Sequence, residues 1–414
     1  MKLKLSTVTI KLKLPIAALL LGAGLTACTP QPDSNIVEDN MEFAQQQLRC
    51  AFDEIDYAVA NESPESRAQR EKNGWGPLTN PRNTEPDGTL HLVPSKDWTS
   101  GFFPGELWFL YEYTQNNFWK KKAQQHTDIL EQEKMNGGTH DMGFKMYCSF
   151  GNGYRLTQDE RYKEILLQSA RTLSTRFKPK AGIIRSWDHN KDKWQCPVII
   201  DNMMNLELLF WATKESKDST YYNIAVSHAR TTMKNHFRDD YSSYHVVSYN
   251  NDGTVEKKCT HQGKSDASSW ARGQAWGLYG YTSCYRESKD VQFLRQAENI
   301  ASLIMRRVKT EDAVPLWDYD APDTPQTPRD ASAAAITASA LIELSTLVED
   351  GQAYMEYAGK LLKSLSSDGY LAKPGTNRGF VLMARRSKKL FGPYKEEKQL
   401  ALASREAMEP NQGG

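Results

Sequence analysis

The sequence predicts an all-α fold, a closed toroid of paired helices, with a two-layer α-solenoid as the competing arrangement. Three observations carry this reading. Nearly every long segment repeats its apolar residues at helical spacing. Beyond one hairpin almost nothing alternates with period two, which disfavours a β/α barrel or a doubly wound sheet. Helices rich in aromatic or small residues alternate with amphipathic ones, and long loops precede the apolar members. Inner and outer walls closed around a pocket would use that alternation.

In chain order, residues 38–60 place Leu48, Phe52, Ile55 and Val59 on one helical face, with Phe43 leading into it. Residues 61–97 are rich in Pro, Asn, Glu and Gly and read as a long loop. DWTSGFFPGELWFLYEYT at 97–114 has Pro104 in a first helical turn after a tight GFF turn. Helices follow at 118–134, 139–154 and 158–177, the last with a Gln158 lead-in. The excursion 178–198 delivers the chain to IIDNMMNLELLFWA at 199–212, a helix apolar almost all round and therefore central to the core. Ser219 or Thr220 caps the next helix, 219–238. Residues 241–266 form two strands around Asn251-Asp252-Gly253. Helices at 268–287 and 290–307, a Pro-rich loop, and two last helices bring the count to eleven between 38 and 367.

Composition narrows the function. With 52 basic and 51 acidic residues the formal net charge is +1, so no global field favours nucleic acid. The 10 Trp, 19 Tyr and 14 Phe suit a carbohydrate site, where flat apolar rings stand beside polar groups, although helical cores also use aromatics. At the N-terminus Lys2, Lys4, Lys11 and Lys13 precede the run IAALLLGAGL and then Leu25-Thr26-Ala27-Cys28. That order is a targeting peptide, and its apolar run is too short to span a bilayer. Cys28 after small residues resembles the bacterial lipoprotein cleavage box, which makes it the lipidated first residue. The expected layout is a signal peptide at 1–27, a polar tether at 28–37, a catalytic domain at 38–377 and a tail at 378–414. The location expected is the cell envelope, lipid-anchored, facing the periplasm or the exterior. The other cysteines, at 50, 148, 196, 259 and 284, form no CxxC pair, so neither a zinc knuckle nor a dense disulfide framework is indicated.

Two carboxylates stand at the starts of inner-type helices, Asp141 and Asp201. Each could be only a helix cap. In a toroid, however, inner helix starts gather at one rim, and paired acids in an aromatic pocket are equipment for proton transfer. Trp98, His140, Trp187, His245, Gln262, Arg272 and Trp276 lie in segments that would surround them. Arg272 and Trp276 share a helix face, and an Arg in SSWARGQAWGLYGY needs an anionic partner, either a protein Asp or a substrate carboxylate. Gly273 and Gly277 read as close-packing positions. No HExxH or close His cluster is present, so no metal site is expected, and phosphate-binding glycine loops are absent.

WTSGFFPGELW, HDMGF, IIDNMMNLELLFWA, HQG, SSWARGQAWGLYGY, RDASAAAI and YLAKPGTN, in that order over about 98–377, resemble the unsaturated glucuronyl hydrolase family. The resemblance implies an (α/α)6 barrel acting on oligosaccharides from chondroitin, hyaluronan, heparin or related polymers. Their non-reducing end carries a 4,5-unsaturated uronic acid made by a polysaccharide lyase. It implies that Asp201 is general acid and base, that Asp141 assists beside His140, and that Trp98 and Trp187 line the unsaturated ring. His245, Gln262, Arg272 and Trp276 would complete the substrate site, and the resemblance implies neither a metal nor an organic cofactor. A related barrel hydrolase for unsaturated rhamnogalacturonyl units, or a non-catalytic lipoprotein that binds acidic glycans, are the other readings. Consumption of the double bond in matched disaccharides separates all three. After KPGTN the family's glycine-rich loop and YADYYFLEAL-like helix are replaced by RGFVLMARRSKKLFG, which reads as a change of frame near 377–385 or as divergence. Either way the ring's last helix is expected to be missing or replaced.

Overall fold

The structure, a computed structural model, describes residues 35–84 and 90–372. Cys28, the signal peptide, most of the tether and the expectations for the tail lie outside the described residues.

Successive helices pair as inner and outer members of a ring. α3 (Phe102–Thr114) pairs with α4 (Asn117–Asp128). The next inner helix is a π-helical segment, Gly143–Gly151, running into α5 (Asn152–Thr157), and its outer partner is α6 (Glu160–Ser174). A 3₁₀ turn, Ile200–Asn205, leads into α7 (Leu206–Ser216), which packs on α8 (Ser219–Asn235). α9 (Ala271–Ser288) pairs with α10 (Val291–Arg307), and α11 (Ala331–Ser345) with α12 (Gln352–Leu365). α1 (Asn35–Ala60) is a further outer helix, and Asn40 Nδ2 donates to Ser366 Oγ at 2.9 Å just beyond α12. These are the eleven long helices read from periodicity, and they make an (α/α) toroid.

The division into walls follows from side-chain chemistry. α10 keeps Phe293, Ala297, Ile300 and Ile304 on its buried face and leaves charge outside. α9 is buried nearly all round, which Gly273 permits: a Cβ there would lie 2.9 Å from Ile200 Cγ2. Two inner helices keep uncovered stripes, Glu106, Phe109 and Tyr113 on α3 and Ser332, Ser339 and Ile342 on α11. Such stripes are what a ring place without its own inner helix among the described residues leaves behind.

Three small sheets and two caps differ from expectation. The 61–97 loop contains α2 (Pro64–Lys72), capped by Ser63, and the antiparallel pair β1 (Asn80–Thr84) and β2 (Leu90–Val93). α2 buries nothing, so no apolar period marks it. β1, NPRNT, has no alternation and a bulge between Pro81 and Asn83. β3 (Phe177–Lys178) and β4 (Ile183–Ile184) pair across the excursion after α6. The expected hairpin is present as β6 (Val246–Tyr249) and β7 (Val255–Cys259), but β5 (Pro197–Ile199) adds a third strand. Asp218 rather than Ser219 or Thr220 caps α8, because its carboxylate accepts from Thr220 N at 2.8 Å. Asp159 likewise replaces Gln158, which adopts a left-handed φ of 57° at the preceding helix end.

Candidate active site

The two helix starts that bear the acids are clasped to one another. Asn205 Oδ1 accepts from Gly143 N at 2.8 Å and Phe144 N at 3.2 Å, satisfying donors that a helix start would otherwise leave free. Only glycine permits this approach: a Cβ on Gly143 would lie 2.6 Å from Asn205 Cα. Asp141 lies two residues before the π-helical inner segment and Asp201 four residues before Asn205, so both stand on the same rim of the ring.

Asp201 is 7% exposed. The β5–β6 pairing, Ile199 opposite Val246, brings His245 beside it, with Nε2 at 3.6 Å from Asp201 Oδ2. His245 Nδ1 accepts from both His261 N and Gln262 N at 3.0 Å, so a ring proton resides on Nε2, the nitrogen that faces the acid. Both Asp201 Oδ2 and His245 Nε2 are buried without a hydrogen-bond partner. Two such atoms facing each other leave a place for a polar guest, because unpaired buried groups are costly.

Asp141 is held differently. Its Oδ2 accepts from Thr139 Oγ1 at 2.5 Å and its Oδ1 lies 3.2 Å from His140 Nε2. His140 is 2% exposed, with Nδ1 3.3 Å from Ser186 Oγ. That hydroxyl also accepts from Ile199 N at 3.0 Å, tying the Asp141 corner to the strand that leads to Asp201. The Thr139–Trp187 bridge adds Trp187 to the same wall.

The aromatic walls assemble from distant segments. Trp98 meets Phe144 edge-on at 5.5 Å, and Phe144 meets Trp276 at 5.1 Å. Trp187 stacks on His189 at 5.3 Å and approaches His261 at 5.8 Å. The indole N–H groups of Trp187 and Trp276 are buried without partners. Arg272 lies over Trp270 at 4.9 Å, donates to Ser332 Oγ at 3.1 Å and has Asp330 Oδ2 at 3.8 Å, while its Nε has no partner. Of the two partners expected for it, a protein Asp or a substrate carboxylate, the protein supplies Asp330 at the long limit for an ion pair.

Trp98, Gln262 and Arg272 also line a cavity of about 290 Å³ together with Arg82, Phe102 and Glu106. The two candidate acids are not in its wall, so it adjoins their corner rather than containing it. Among the described residues no group of three or more His, Cys, Asp and Glu side chains could hold a metal ion. The five described cysteines are free thiols.

Four residues of this region were not legible as site residues. Arg82 comes from the aperiodic strand β1 and pairs with Asp97. Glu106 looked like one more polar position of a helix. Trp270, 4.9 Å from His245, and His261 were present only within motifs. His261 is held neutral, since burial pushes its pKa down to about 4. Its place in HQG, next to Gln262, was the one usable signal.

The family profile described as Glycosyl Hydrolase Family 88 matches residues 69–382. An unsaturated glucuronyl hydrolase of Formosa agariphila is 51% identical over 296 residues, 71% of this chain and 74% of that protein. An unsaturated chondroitin disaccharide hydrolase of Streptococcus agalactiae is 34% identical over 284 residues, 66% of this chain and 71% of the relative. Among solved structures, an unsaturated glucuronyl hydrolase specific for heparin superposes with a TM-score of 0.76 at 44% identity, covering 90% of this chain and 97% of the other. That of Bacillus sp. GL1, responsible for glycosaminoglycan degradation, gives 0.73 at 27% identity, covering 90% and 96%. A profile that spans most of the ring and relatives of this closeness place the chain in one family: it belongs to glycosyl hydrolase family 88.

Proposed function

We propose that the rim built by Asp201, His245, Asp141 and the surrounding tryptophans removes a 4,5-unsaturated glucuronic acid from glycosaminoglycan-derived oligosaccharides. The chain is an unsaturated glucuronyl hydrolase by family and by its relatives. The residue roles are our reading, and one observation carries them: Asp201 Oδ2 and His245 Nε2 face each other 3.6 Å apart, both buried and unpartnered.

In this reading Asp201 delivers its proton to C4 of the vinyl ether, and water adds at C5. The ionised Asp201 takes the proton that this water gives up, so acid and base are the same side chain. The resulting C5 hemiketal opens, and the glycosidic bond is lost with it. His245, its Nε2 proton directed at the acid, orients carboxyl and water. Asp141, fixed by Thr139 and His140, accepts from substrate hydroxyls. Trp98 and Trp187 offer apolar faces to the ring, Trp276 frames the pocket floor beside Phe144, and Arg272 with Gln262 receives the uronate. Since the step is a hydration, the carboxylate separations that distinguish inverting from retaining glycosidases do not govern it.

The test is to incubate the protein with unsaturated disaccharides from chondroitin, hyaluronan and heparin lyases and follow the enol-uronate absorbance. Wild type removes it, and in heavy water leaves deuterium at C4. Asp201→Asn retains binding but loses turnover by about a thousandfold, because an amide cannot supply the proton. Near wild-type rates in that variant would eliminate Asp201 as the acid.

We also propose that Cys28 is acylated and tethers the enzyme to an envelope membrane. No described helix is long and apolar enough to cross one. Two or more acyl chains anchor durably where a short apolar run cannot. Cys28→Ala protein should leave the membrane fraction under high salt, and its retention there would contradict the anchor.

A further inference from the structure

Among the described residues, the cavity beside the Asp201 corner holds one acid that no other group answers. Glu106 stands on α3 one turn from Phe102 and opens onto the same space as Arg82, Trp98, Gln262 and Arg272. The two guanidiniums there are held by the protein to different degrees. Arg82 pairs with Asp97, which is fixed in turn by Thr99 N at 2.9 Å, and Arg272 has Asp330 and Ser332. Glu106 makes no hydrogen bond or ion pair with the described residues. The carboxyl is exposed, on the uncovered stripe of α3, so water reaches it. The walls around it still withhold part of its hydration and lift its pKa to about 7, with no neighbouring cation pulling it back.

We infer that Glu106 is a specificity-determining residue for the sugar next to the unsaturated uronate, accepting its hydroxyl or amine donors and turning away anionic substituents. This rests on the glucuronyl hydrolase reading of the neighbouring corner. An ionised carboxylate can only accept, so it rewards a donor and opposes a sulfate. Arg82 does not cancel this preference, because Asp97 already matches it, and Arg272 is taken up by the uronate itself. With the uronate received at Arg272 and Gln262, the rest of the cavity, whose wall includes Arg82 and Glu106, is the space open to the sugar beyond it.

The experiment compares kcat/KM at pH 8, above the value to which enclosure lifts the carboxyl. The substrates are unsaturated uronate–glucosamine disaccharides carrying a free amine, an N-sulfate or a 6-O-sulfate. Wild type should prefer the free amine to at least one sulfated form by about tenfold, the scale of a charge-assisted hydrogen bond. Glu106→Gln, of the same size, should narrow that ratio by a similar factor, chiefly through KM, with a thermal midpoint no lower than that of the wild type. Glu106→Lys should reverse the preference. An equal fall on every substrate would show a merely structural residue, and unchanged ratios in both variants would overturn the proposal. If the wild type leaves every double bond intact, the reading of the reaction fails first and this proposal falls with it.

Discussion

α9 carries an arginine at each end, and the two live in opposite circumstances. Arg286, in the last turn, is held from three sides: two bonds to Glu343 at 2.7 and 2.9 Å, one to Glu287 at 2.9 Å, and one to Glu207. Burial works against its charge, but Glu207 and Glu343 more than offset that and raise its pKa. Arg272, in the first turn, has one hydroxyl, one distant carboxylate and an unpartnered Nε. Both are guanidiniums on one helix of one ring. Where the protein itself satisfies the fork, the residue holds inner helices together. Where the fork is left short of partners, the missing partner comes from outside.

The largest expected effect breaks the comparison from the structural end. Arg286→Met strands Glu207 and Glu343 and leaves Glu287 with Lys214 alone. Removing one member of a fully buried network costs about 3–5 kcal/mol, and the 34% side-chain exposure of Arg286 reduces this to roughly 2–3 kcal/mol. Thermal unfolding should move down by several degrees while kcat/KM of the folded fraction holds. An unchanged midpoint would mean that the network contributes nothing.

Arg272→Met is the counterpart and should do the reverse. Losing a charge-assisted contact to the uronate should lower kcat/KM by about thirtyfold, mainly through KM, with the melting temperature unchanged. Loss of stability at normal kinetics would make Arg272 a second Arg286.

The sequence made this contrast only half visible. Helical periodicity exposed the ring, and the position of Asp141 and Asp201 at the starts of apolar helices exposed the rim, since both are local patterns. Arg272 was conspicuous because its helix is otherwise apolar or small. Arg286 was not, because Arg near a helix C-terminus is ordinary, and its three acids come from α7, α9 and α11. The same holds for Arg82: β1 is a strand only because β2 pairs with it. His245 reaches Asp201 through a three-residue strand too short to carry a period. What stayed hidden was whatever depended on pairing between distant segments.

The smallest effect concerns protons, and it sharpens the comparison by asking whether buried imidazoles behave like satisfied or waiting groups. Burial pushes His126, His236 and His261 down to about 4, and His228 well below its ordinary value. An unfolded histidine titrates near 6.5, so as pH falls the unfolded chain takes up protons that the folded one refuses. Their contribution is complete above about pH 6.5 and is lost as pH falls toward 4. Glu106 works in the opposite sense: with its folded pKa raised to about 7, its contribution is present at low pH and lost as pH rises through 7. Burial also raises Glu207, which adds to that opposing side. Four imidazoles against two carboxyls, one of them open to water, leave the histidines ahead. Between pH 7 and 6 the ring should lose about 1 kcal/mol of stability, read as a shift in urea midpoint. Glu106→Gln removes an opposing group and should steepen that loss, whereas His126→Gln should flatten it. Stability that rises as pH falls from 7 to 6 would place these imidazoles in contact with water after all.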